Sequence, residues 1–241
     1  MSLESRILKK EEYVVVTGAG RGIGRAIAER FAKHGYRLAL ISSTKEVLEE
    51  VQKSCIHLGS PEVILFCADL SIDVEWPEDW KGLNVGMVVN NAGRFSMDSA
   101  KSVAQKDAFD AWKRNVLPAV QCNRFFLERL KHKKRGLLLH IGSVASEQGR
   151  AYAAAYSSAK HALLGYVRSL RLDLMEAGIA VSVINPGQTY THSWAGSSVD
   201  PKEIMAAEDI AEVAFTISQL SPRSVVEDVT MNPIRGDREP Y

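Results

Sequence analysis

Short runs of aliphatic and β-branched residues alternate with longer segments of helical period along this chain. Such an alternation is typical of repeated β-α-β units, in which helices connect the strands of a parallel sheet. We therefore expect a doubly wound α/β fold with a seven-stranded parallel sheet and helices on both faces. The predicted strands are Tyr13–Val16, Leu38–Ile41, Val63–Cys67, Val85–Val89, Leu137–Ile141, Ala180–Ile184 and Val225–Met231.

Helical periodicity fills most of the sequence between these strands. The predicted helices are Ile23–Lys33, Lys45–Cys55, Val103–Leu130, Ala153–Glu176 and Ala207–Leu220. The segment 71–82 contains Trp76-Pro77 and predicts a short, irregular connection. Residues 188–206 are rich in turn formers at their start and predict a loop that contacts substrate. A length of 241 residues suits one domain spanning 1–241.

The overall charge argues against a nucleic-acid or membrane partner. The chain has 30 Lys and Arg residues against 29 Asp and Glu residues, which gives a net charge of +1. The densest basic run, residues 131–135, follows a predicted helix and is interpreted as a solvated helix end. We therefore expect a small-molecule substrate.

The three cysteines are scattered, with no C-x-x-C pair. This usage is typical of reduced thiols and predicts neither a disulfide framework nor a metal site. No apolar run approaches the roughly 20 residues of a membrane helix. We therefore expect a soluble cytoplasmic protein.

A glycine-rich segment, Thr17-Gly18-Ala19-Gly20-Arg21-Gly22-Ile23-Gly24, joins the first predicted strand to the first predicted helix. Glycines allow a tight turn and let backbone N–H groups at a helix N-terminus approach a pyrophosphate. The spacing G-x-x-x-G-x-G differs from the best-known fingerprint, and an ordinary turn remains an alternative for this segment alone.

Tyr156 and Lys160 stand four residues apart in a predicted helix and therefore share one face. An ammonium near a phenol favours the phenolate, so we expect a lowered pKa for Tyr156. Ser143 follows the strand Leu137–Ile141, at an edge where open α/β sheets bind ligands. The pair alone could be structural, but the three residues together indicate a catalytic site.

With these motifs in this order, the sequence resembles the short-chain dehydrogenase/reductase family. The resemblance covers nearly the whole chain and implies a Rossmann-type fold. One departure concerns Asn84-Val85-Gly86, where many members carry an acidic residue, and we expect different local packing there. The residues that carry the resemblance are Thr17–Gly24, Asp69-Leu70, Asn90-Asn91-Ala92-Gly93, Asn115, Ser143, Tyr156, Lys160 and Pro186-Gly187.

The resemblance implies roles for four catalytic residues. Tyr156 would be the general acid in carbonyl reduction and the general base in alcohol oxidation. Lys160 would lower the pKa of Tyr156 and hold the nicotinamide ribose. Ser143 would orient the substrate oxygen, and Asn115 would support a water relay to Lys160.

The resemblance also implies a set of cofactor-binding residues. Asp69 would face the adenine, Asn91-Ala92-Gly93 the adenosine ribose, and the segment after Pro186 the nicotinamide carboxamide. Taken singly, Asp69 could cap a loop and Asn91 could fix a turn. The full set is Gly18, Arg21, Gly22, Ile23, Gly24, Ser42, Ser43, Asp69, Leu70, Asn91, Ala92, Gly93, Tyr156, Lys160, Pro186, Gly187, Thr189 and Thr191.

The end of the second strand bears on the choice of nicotinamide cofactor. An acidic residue there would repel a 2′-phosphate, whereas this chain has Ser42-Ser43. Arg21 in the glycine turn could pair with that phosphate. We therefore expect NADP(H), with NAD(H) as the alternative.

The predicted activity is hydride transfer between nicotinamide and a carbonyl or secondary alcohol, with a 3-oxoacyl thioester as one candidate substrate. A sensor or scaffold that binds NAD(P)H without turnover is the alternative. The resemblance further implies a homotetramer or homodimer. Candidates to shape the substrate pocket are Phe95, Ser96, Val144, Gln148, Tyr152, Tyr190 and Trp194.

Overall fold

Seven parallel strands form one sheet in the computed structural model, which describes residues 7–194 and 196–237. Their order across the sheet is β3-β2-β1-β4-β5-β6-β9, which confirms the predicted seven-stranded doubly wound architecture. The strands are β1 (Tyr13–Thr17), β2 (Arg37–Ser42), β3 (Val63–Cys67), β4 (Val85–Asn90), β5 (Gly136–Ile141), β6 (Ile179–Pro186), β7 (Thr189–Tyr190), β8 (Met205–Ala206) and β9 (Asp228–Met231).

Helices cover both faces of this sheet. The helices are α1 (Gly22–Lys33), α2 (Lys45–His57), α3 (Gln105–Asn115), α4 (Leu117–Lys133), α5 (Ala154–Leu174) and α6 (Ala207–Ser218). One apolar core lies between the sheet and α1, α2 and α6, and the other between the sheet and α4 and α5. The central strands β4 and β5 are buried along their whole length because helices pack on both sides of them.

The chain reverses its direction of winding at β1, which pairs with both β2 and β4. The loops that follow β1 and β4 leave the sheet in opposite directions at this point, so a crevice opens at the carboxyl ends of the strands. Every motif quoted above except Tyr156-x-x-x-Lys160 and Asn115 follows a strand and lies at this edge. Ligand binding is therefore expected here.

The prediction of one long helix over Val103–Leu130 is wrong. The structure has α3 and α4, separated at Val116, whose φ of −113° departs from helical geometry. In a continuous helix, Pro118 would have no N–H to donate to the carbonyl of Arg114 and its ring would clash with that carbonyl, so the chain cannot continue straight through this point. Ala119 N donates to the carbonyl of Val116 instead of that of Asn115.

Two smaller elements also differ from the prediction. The last strand begins at Asp228 rather than Val225, because β9 is an edge strand and pairs with β6 only from Val183 onward. The segment 188–206 contains β7 and β8, which pair in parallel as a separate two-stranded sheet. The irregular connection over 71–82 is confirmed, with a short 3-10 helix at Glu78–Gly82.

The interpretation of residues 131–135 as a solvated helix end is wrong for two of its cations. Lys133 Nζ and Arg135 Nη2 lie 3.1 and 2.7 Å from Oε1 of Glu12, which is 2% exposed. A Cβ on Gly86 would clash with this carboxylate, so the glycine makes room for it. The family departure at residues 84–86 therefore coincides with a buried ion cluster between Glu12, Lys133 and Arg135.

Candidate active site

A cavity of about 850 Å³ opens at the carboxyl ends of the strands. Its volume is within the roughly 300–1,000 Å³ typical of small-molecule sites. The cavity runs from Ser42 and Asp69 at one end to Tyr156 at the other. The predicted site residues that line it are Gly18, Arg21, Gly22, Ile23, Ser42, Ser43, Asp69, Leu70, Asn91, Ala92, Gly93, Asn115, Ser143, Tyr156, Lys160, Pro186, Gly187, Thr189 and Thr191.

The glycine turn between β1 and α1 has the geometry of an anion-binding site. Gly18 and Gly22 have φ of +64° and +55°, a left-handed conformation that favours glycine. Arg21 precedes α1, and no side chain caps the first N–H groups of this helix. These donors remain available at the positive end of the helix, beside the cavity.

Gly24 is the one predicted site residue outside the cavity lining. A Cβ on Gly24 would clash with the carbonyl oxygen of Gly18 and with the side chain of Asn91. Gly24 therefore permits the close approach of α1 to the turn, which is a packing role.

Asn91 fixes this turn from the end of β4. Its Nδ2 donates to the carbonyl oxygens of Thr17 and Gly18, at 2.9 and 3.2 Å. In return, Thr17 Oγ1 accepts the backbone N–H groups of Asn91 and Ala92. The carboxamide thus joins two strand ends, and the structure bears out the alternative in which Asn91 fixes a turn.

Asp69 has a similar local role. Its Oδ1 accepts the backbone N–H of Ser71 at 2.9 Å. Hydrogen bonds from the Ser71 side chain and backbone lower the pKa of Asp69, and they outweigh the opposing effect of burial. The carboxylate is therefore ionised and exposed at the cavity wall, whereas Leu70 beside it is buried.

The proposed catalytic side chains meet at the other end of the cavity. Ser143 follows β5, and its backbone N–H donates to Ser146 Oγ at 3.0 Å and Asn185 Oδ1 at 3.2 Å. Lys160 is buried, and its Nζ lies 5.7 Å from the centre of the Tyr156 ring. Nζ donates to the carbonyl oxygen of Ile141 at 2.9 Å, which holds Lys160 against the end of β5.

Burial shifts both ionisable groups toward their neutral forms. It lowers the pKa of Lys160 to about 8. It also raises the pKa of Tyr156, and the hydrogen bond with Ser143 opposes this rise only in part. The expected lowering of the Tyr156 pKa by Lys160 is therefore not found, because burial is the largest cause of the shift and the hydrogen bond with Ser143 is the cause that opposes it.

Asn115 ends α3 directly behind Gly93. Its Nδ2 donates to the carbonyl oxygens of Arg94 and Ala111 at 3.0 and 2.9 Å, and its Oδ1 accepts the N–H of Arg94. The side chain thus fixes the loop after β4. Because Pro118 breaks the helix, Ala119 N does not donate to the Asn115 carbonyl, and Asn115 is one of the residues that line the cavity.

The residues at and after the end of β6 form another wall of the cavity. Thr189 Oγ1 donates to the carbonyl of Gly187 at 3.1 Å, which stabilises the turn into β7. A Cβ on Gly22 would stand 3.2 Å from Thr191, so the segment after β7 closes over the glycine turn. This places part of the predicted loop 188–206 against the glycine turn beside the cavity.

Four of the seven candidate pocket residues line the cavity: Phe95, Val144, Tyr152 and Trp194. Phe95 meets the Tyr156 ring edge to face, with a centroid distance of 5.1 Å. Ser96, Gln148 and Tyr190 do not line it.

Sequence reasoning missed several ionisable residues of the cavity lining. These residues are Arg94, Arg114, Arg150, His192 and Asp237. The position of Arg94 directly after the Asn90–Gly93 motif could have indicated that it lies at the cavity. Asp237 had none, because only the fold brings the end of the chain to the segment between β5 and α5.

Neither a metal-binding group nor a membrane-spanning helix is found among the residues that the structure describes. Within residues 7–194 and 196–237, no group of three or more His, Cys, Asp or Glu residues is arranged to hold a metal ion. No helix in the same ranges is long and apolar enough to span a membrane.

Comparison with known proteins identifies the family. The model of the short chain dehydrogenase family matches residues 12–201. The chain belongs to this family. It is therefore an oxidoreductase that acts on CH–OH and C=O groups.

Individual relatives are distant but cover most of the chain. An uncharacterized oxidoreductase of Thermotoga maritima is 28% identical over 80% of this chain and 79% of its own length. A 3-oxoacyl-[acyl-carrier-protein] reductase of Bos taurus is 29% identical over 75% of this chain and 77% of its own. The fold is similar to that of an alcohol dehydrogenase from Thermococcus sibiricus, complexed with 5-hydroxy-NADP. That structure has a TM-score of 0.85 at 26% identity, over 95% of this chain and 99% of the other.

Proposed function

We propose that this short-chain dehydrogenase is an NADP(H)-dependent carbonyl reductase with Tyr156, Ser143, Lys160 and Asn115 as its catalytic residues. The observation that carries the proposal is one continuous cavity that is lined by Ser42 and Asp69 at one end, by an uncapped glycine turn, and by Tyr156 at the other end. A dinucleotide has the same extended shape, with phosphates in the middle and a reactive ring at one end.

The residues around the cavity fit such a cofactor. The turn of Gly18 and Gly22 offers backbone donors to a pyrophosphate. Asp69 would accept hydrogen bonds from the adenine end, and Thr189 and Thr191 would contact the carboxamide end. When bound, the reduced nicotinamide supplies the hydride that the carbonyl carbon accepts, and NADP⁺ is the product.

Tyr156 would donate the accompanying proton to the carbonyl oxygen. A raised pKa keeps its phenol protonated at neutral pH, which suits a proton donor. Ser143 would hold the oxygen in place, since its hydroxyl lies within hydrogen-bonding reach of Tyr156. Lys160 would return a proton to Tyr156, because its pKa of about 8 allows proton exchange near neutral pH. The Asn115 carbonyl would orient the connecting water.

We further propose that NADPH binds more tightly than NADH. Arg21 is exposed at the cavity wall, and Ser42 and Ser43 leave that end without an acidic side chain. Arg21→Ala should raise the dissociation constant for NADPH about tenfold or more and leave that for NADH nearly unchanged. Arg25→Ala, in the first turns of α1 and paired with Glu29, is the control. Tighter NADH binding by the wild type would contradict the preference.

Three finer points complete the proposal. The name of the bovine relative supports a 3-oxoacyl thioester as one candidate substrate. Scattered free cysteines support a cytoplasmic location. Exposed Phe109 and Trp112 on α3 and Leu172 on α5 support a homo-oligomer built through these helices. A monomer in sedimentation at micromolar concentration would contradict the last point.

The deciding experiment follows NADPH and NADH oxidation by absorbance, with oxoacyl thioesters, sugar ketones, pteridines and diketones as substrates. Turnover of at least one class with NADPH is the expected result. Saturable NADPH binding without turnover of any class would instead favour the sensor or scaffold.

A further inference from the structure

The substrate end of the cavity contains an arginine that the proposed chemistry does not use. Arg150 lies in the segment between Ser143 and Tyr156 and lines the same cavity as both. Its main chain is fixed, because its N–H donates to Ser157 Oγ at 3.2 Å and its carbonyl accepts the N–H of Ala153. These two bonds fix the backbone of Arg150 just before the start of α5.

The guanidinium pairs with a carboxylate from the end of the chain. Arg150 Nη1 lies 2.7 Å from Asp237 Oδ2, and the two side chains are 24% and 38% exposed. Among the described residues, this is the one ion pair that the Arg150 side chain makes. Guanidinium and carboxylate can form two parallel bonds, and here they form one. A single, partly exposed pair of this kind contributes little stability.

Within the part of the chain that the structure describes, the segment that carries Asp237 to Arg150 is anchored at its start. Asn232 and Pro233 pack on Gly187 after β9, and Pro233 is buried. Beyond them, Ile234 is fully exposed, and the chain turns at Gly236, whose φ is +76°. The carboxylate of Asp237 therefore has few contacts that hold it beside Arg150, apart from the ion pair itself.

The surroundings of Arg150 define the kind of molecule that could replace Asp237. Phe95, Met97 and Tyr152 line the cavity and offer apolar surface. Arg94 also lines it, and its side chain has no ion pair within residues 7–194 and 196–237. The cavity lining thus offers the unpaired cation of Arg94 in addition to Arg150 and its one carboxylate partner, Asp237.

From these contacts we infer that Arg150 determines specificity by binding an anionic group of the substrate, with Asp237 as the internal counterion that the substrate displaces. The substrate is then a ketone, or the corresponding alcohol, that carries a carboxylate. A free oxo acid fits this description better than a thioester with an uncharged acyl end. The inference rests on the proposed reductase activity, because it assigns the substrate class of the same site.

The test compares matched acid and ester substrates. NADPH oxidation is measured with 3-oxobutanoate and its ethyl ester, and with 4-oxopentanoate and its ethyl ester. The wild type should prefer the acids. Arg150→Gln should lower kcat/KM for the acids about tenfold or more, the loss expected when a hydrogen bond between charged groups is removed. Its kcat/KM for the esters should change little, and Arg150→Lys should recover part of the loss.

The variant Asp237→Asn distinguishes substrate binding by Arg150 from a purely structural role of the ion pair. If Asp237 competes with the substrate, its neutralisation should raise kcat/KM for the acids and leave the esters unchanged. If the ion pair only holds the end of the chain over the cavity, Arg150→Gln and Asp237→Asn should alter acids and esters alike, and that result would overturn the inference.

A binding measurement keeps the two proposals distinguishable. Titration of the enzyme–NADP⁺ complex with 3-oxobutanoate in a calorimeter reports binding without turnover, because the oxidised cofactor has no hydride to transfer to the ketone. Weaker binding to Arg150→Gln, with no reduction of any ketone, would refute the reductase and retain the anion site. Ketone reduction with equal acid binding to wild type and Arg150→Gln would refute the anion site and retain the reductase.

Discussion

Two buried charges in this molecule have opposite surroundings. Glu12 is 2% exposed and Lys160 is 4% exposed. Glu12 accepts two bonds from Arg135, one from Lys133 and one from the backbone N–H of Lys9. Lys160 donates one hydrogen bond, to the carbonyl of Ile141. The first charge is fully paired and the second is not.

The difference appears in the pKa of each group. Burial raises the pKa of Glu12, but the bonds from Arg135, Lys9 and Lys133 outweigh burial and hold it below its usual value. Nothing offsets burial at Lys160, so its pKa falls to about 8. Removing one partner of a paired buried charge destabilises the fold, whereas an unpaired buried charge itself costs stability and is poised for proton exchange. The comparison thus separates a structural charge from a functional one.

The largest expected effect on stability is that of Glu12→Gln. It should lower the free energy of unfolding by about 3–5 kcal/mol, because it leaves Lys133 and Arg135 with an uncompensated buried charge. Urea denaturation measures the change. Glu128→Gln is the control, since Glu128 is 70% exposed and pairs only with Lys131, and its effect should stay within about 0.5 kcal/mol. Equal effects of the two variants would contradict a structural role for Glu12.

Lys160→Met should change the free energy of unfolding in the opposite direction. Removal of an unpaired buried ammonium should raise the free energy of unfolding by about 1–3 kcal/mol, and turnover should fall about 100-fold or more. Lys133→Met is the matched control. It should lose stability and keep its turnover, because Lys133 bonds to Glu12 and the carbonyl of Val85. A destabilised Lys160→Met variant would mean that Lys160 is a structural cation as well.

The smallest effect is a pH dependence that only Lys160 should produce. Its pKa is about 8 in the folded protein and its ordinary value is 10.5, so the unfolded chain binds more protons between these values. The stability contributed by this group therefore rises with pH from about 8 to 10.5. The difference in Tm between wild type and Lys160→Met should shrink over this range. A constant difference would show that the ammonium keeps its proton throughout.

The sequence predicted the sheet well because strands and glycine turns are local patterns. The seven strands, the position of Ser143 and the convergence of Tyr156 with the glycine turn all follow from β-α-β topology. The break at Val116 was missed because periodicity continues through Pro118, although the proline itself was a visible signal.

The charge clusters could not be predicted from local patterns. Glu12 meets Lys133 and Arg135 across 121 and 123 residues of chain, and Asp237 meets Arg150 across 87 residues. A run of charged residues has no periodicity that would indicate which distant residues it pairs with. The raised pKa of Tyr156 was missed for a related reason, since the spacing of Tyr156 and Lys160 indicates proximity but not the extent of their burial.

The most direct test of the central claim is the substitution Tyr156→Phe, with turnover and NADPH binding measured on the same preparation. The phenylalanine keeps the ring that packs on Phe95 and removes only the hydroxyl. Tyr190→Phe is the control, because Tyr190 is exposed outside the cavity. The account predicts a fall in kcat of about 100-fold or more with NADPH affinity retained. Turnover at the wild-type rate in Tyr156→Phe would contradict it.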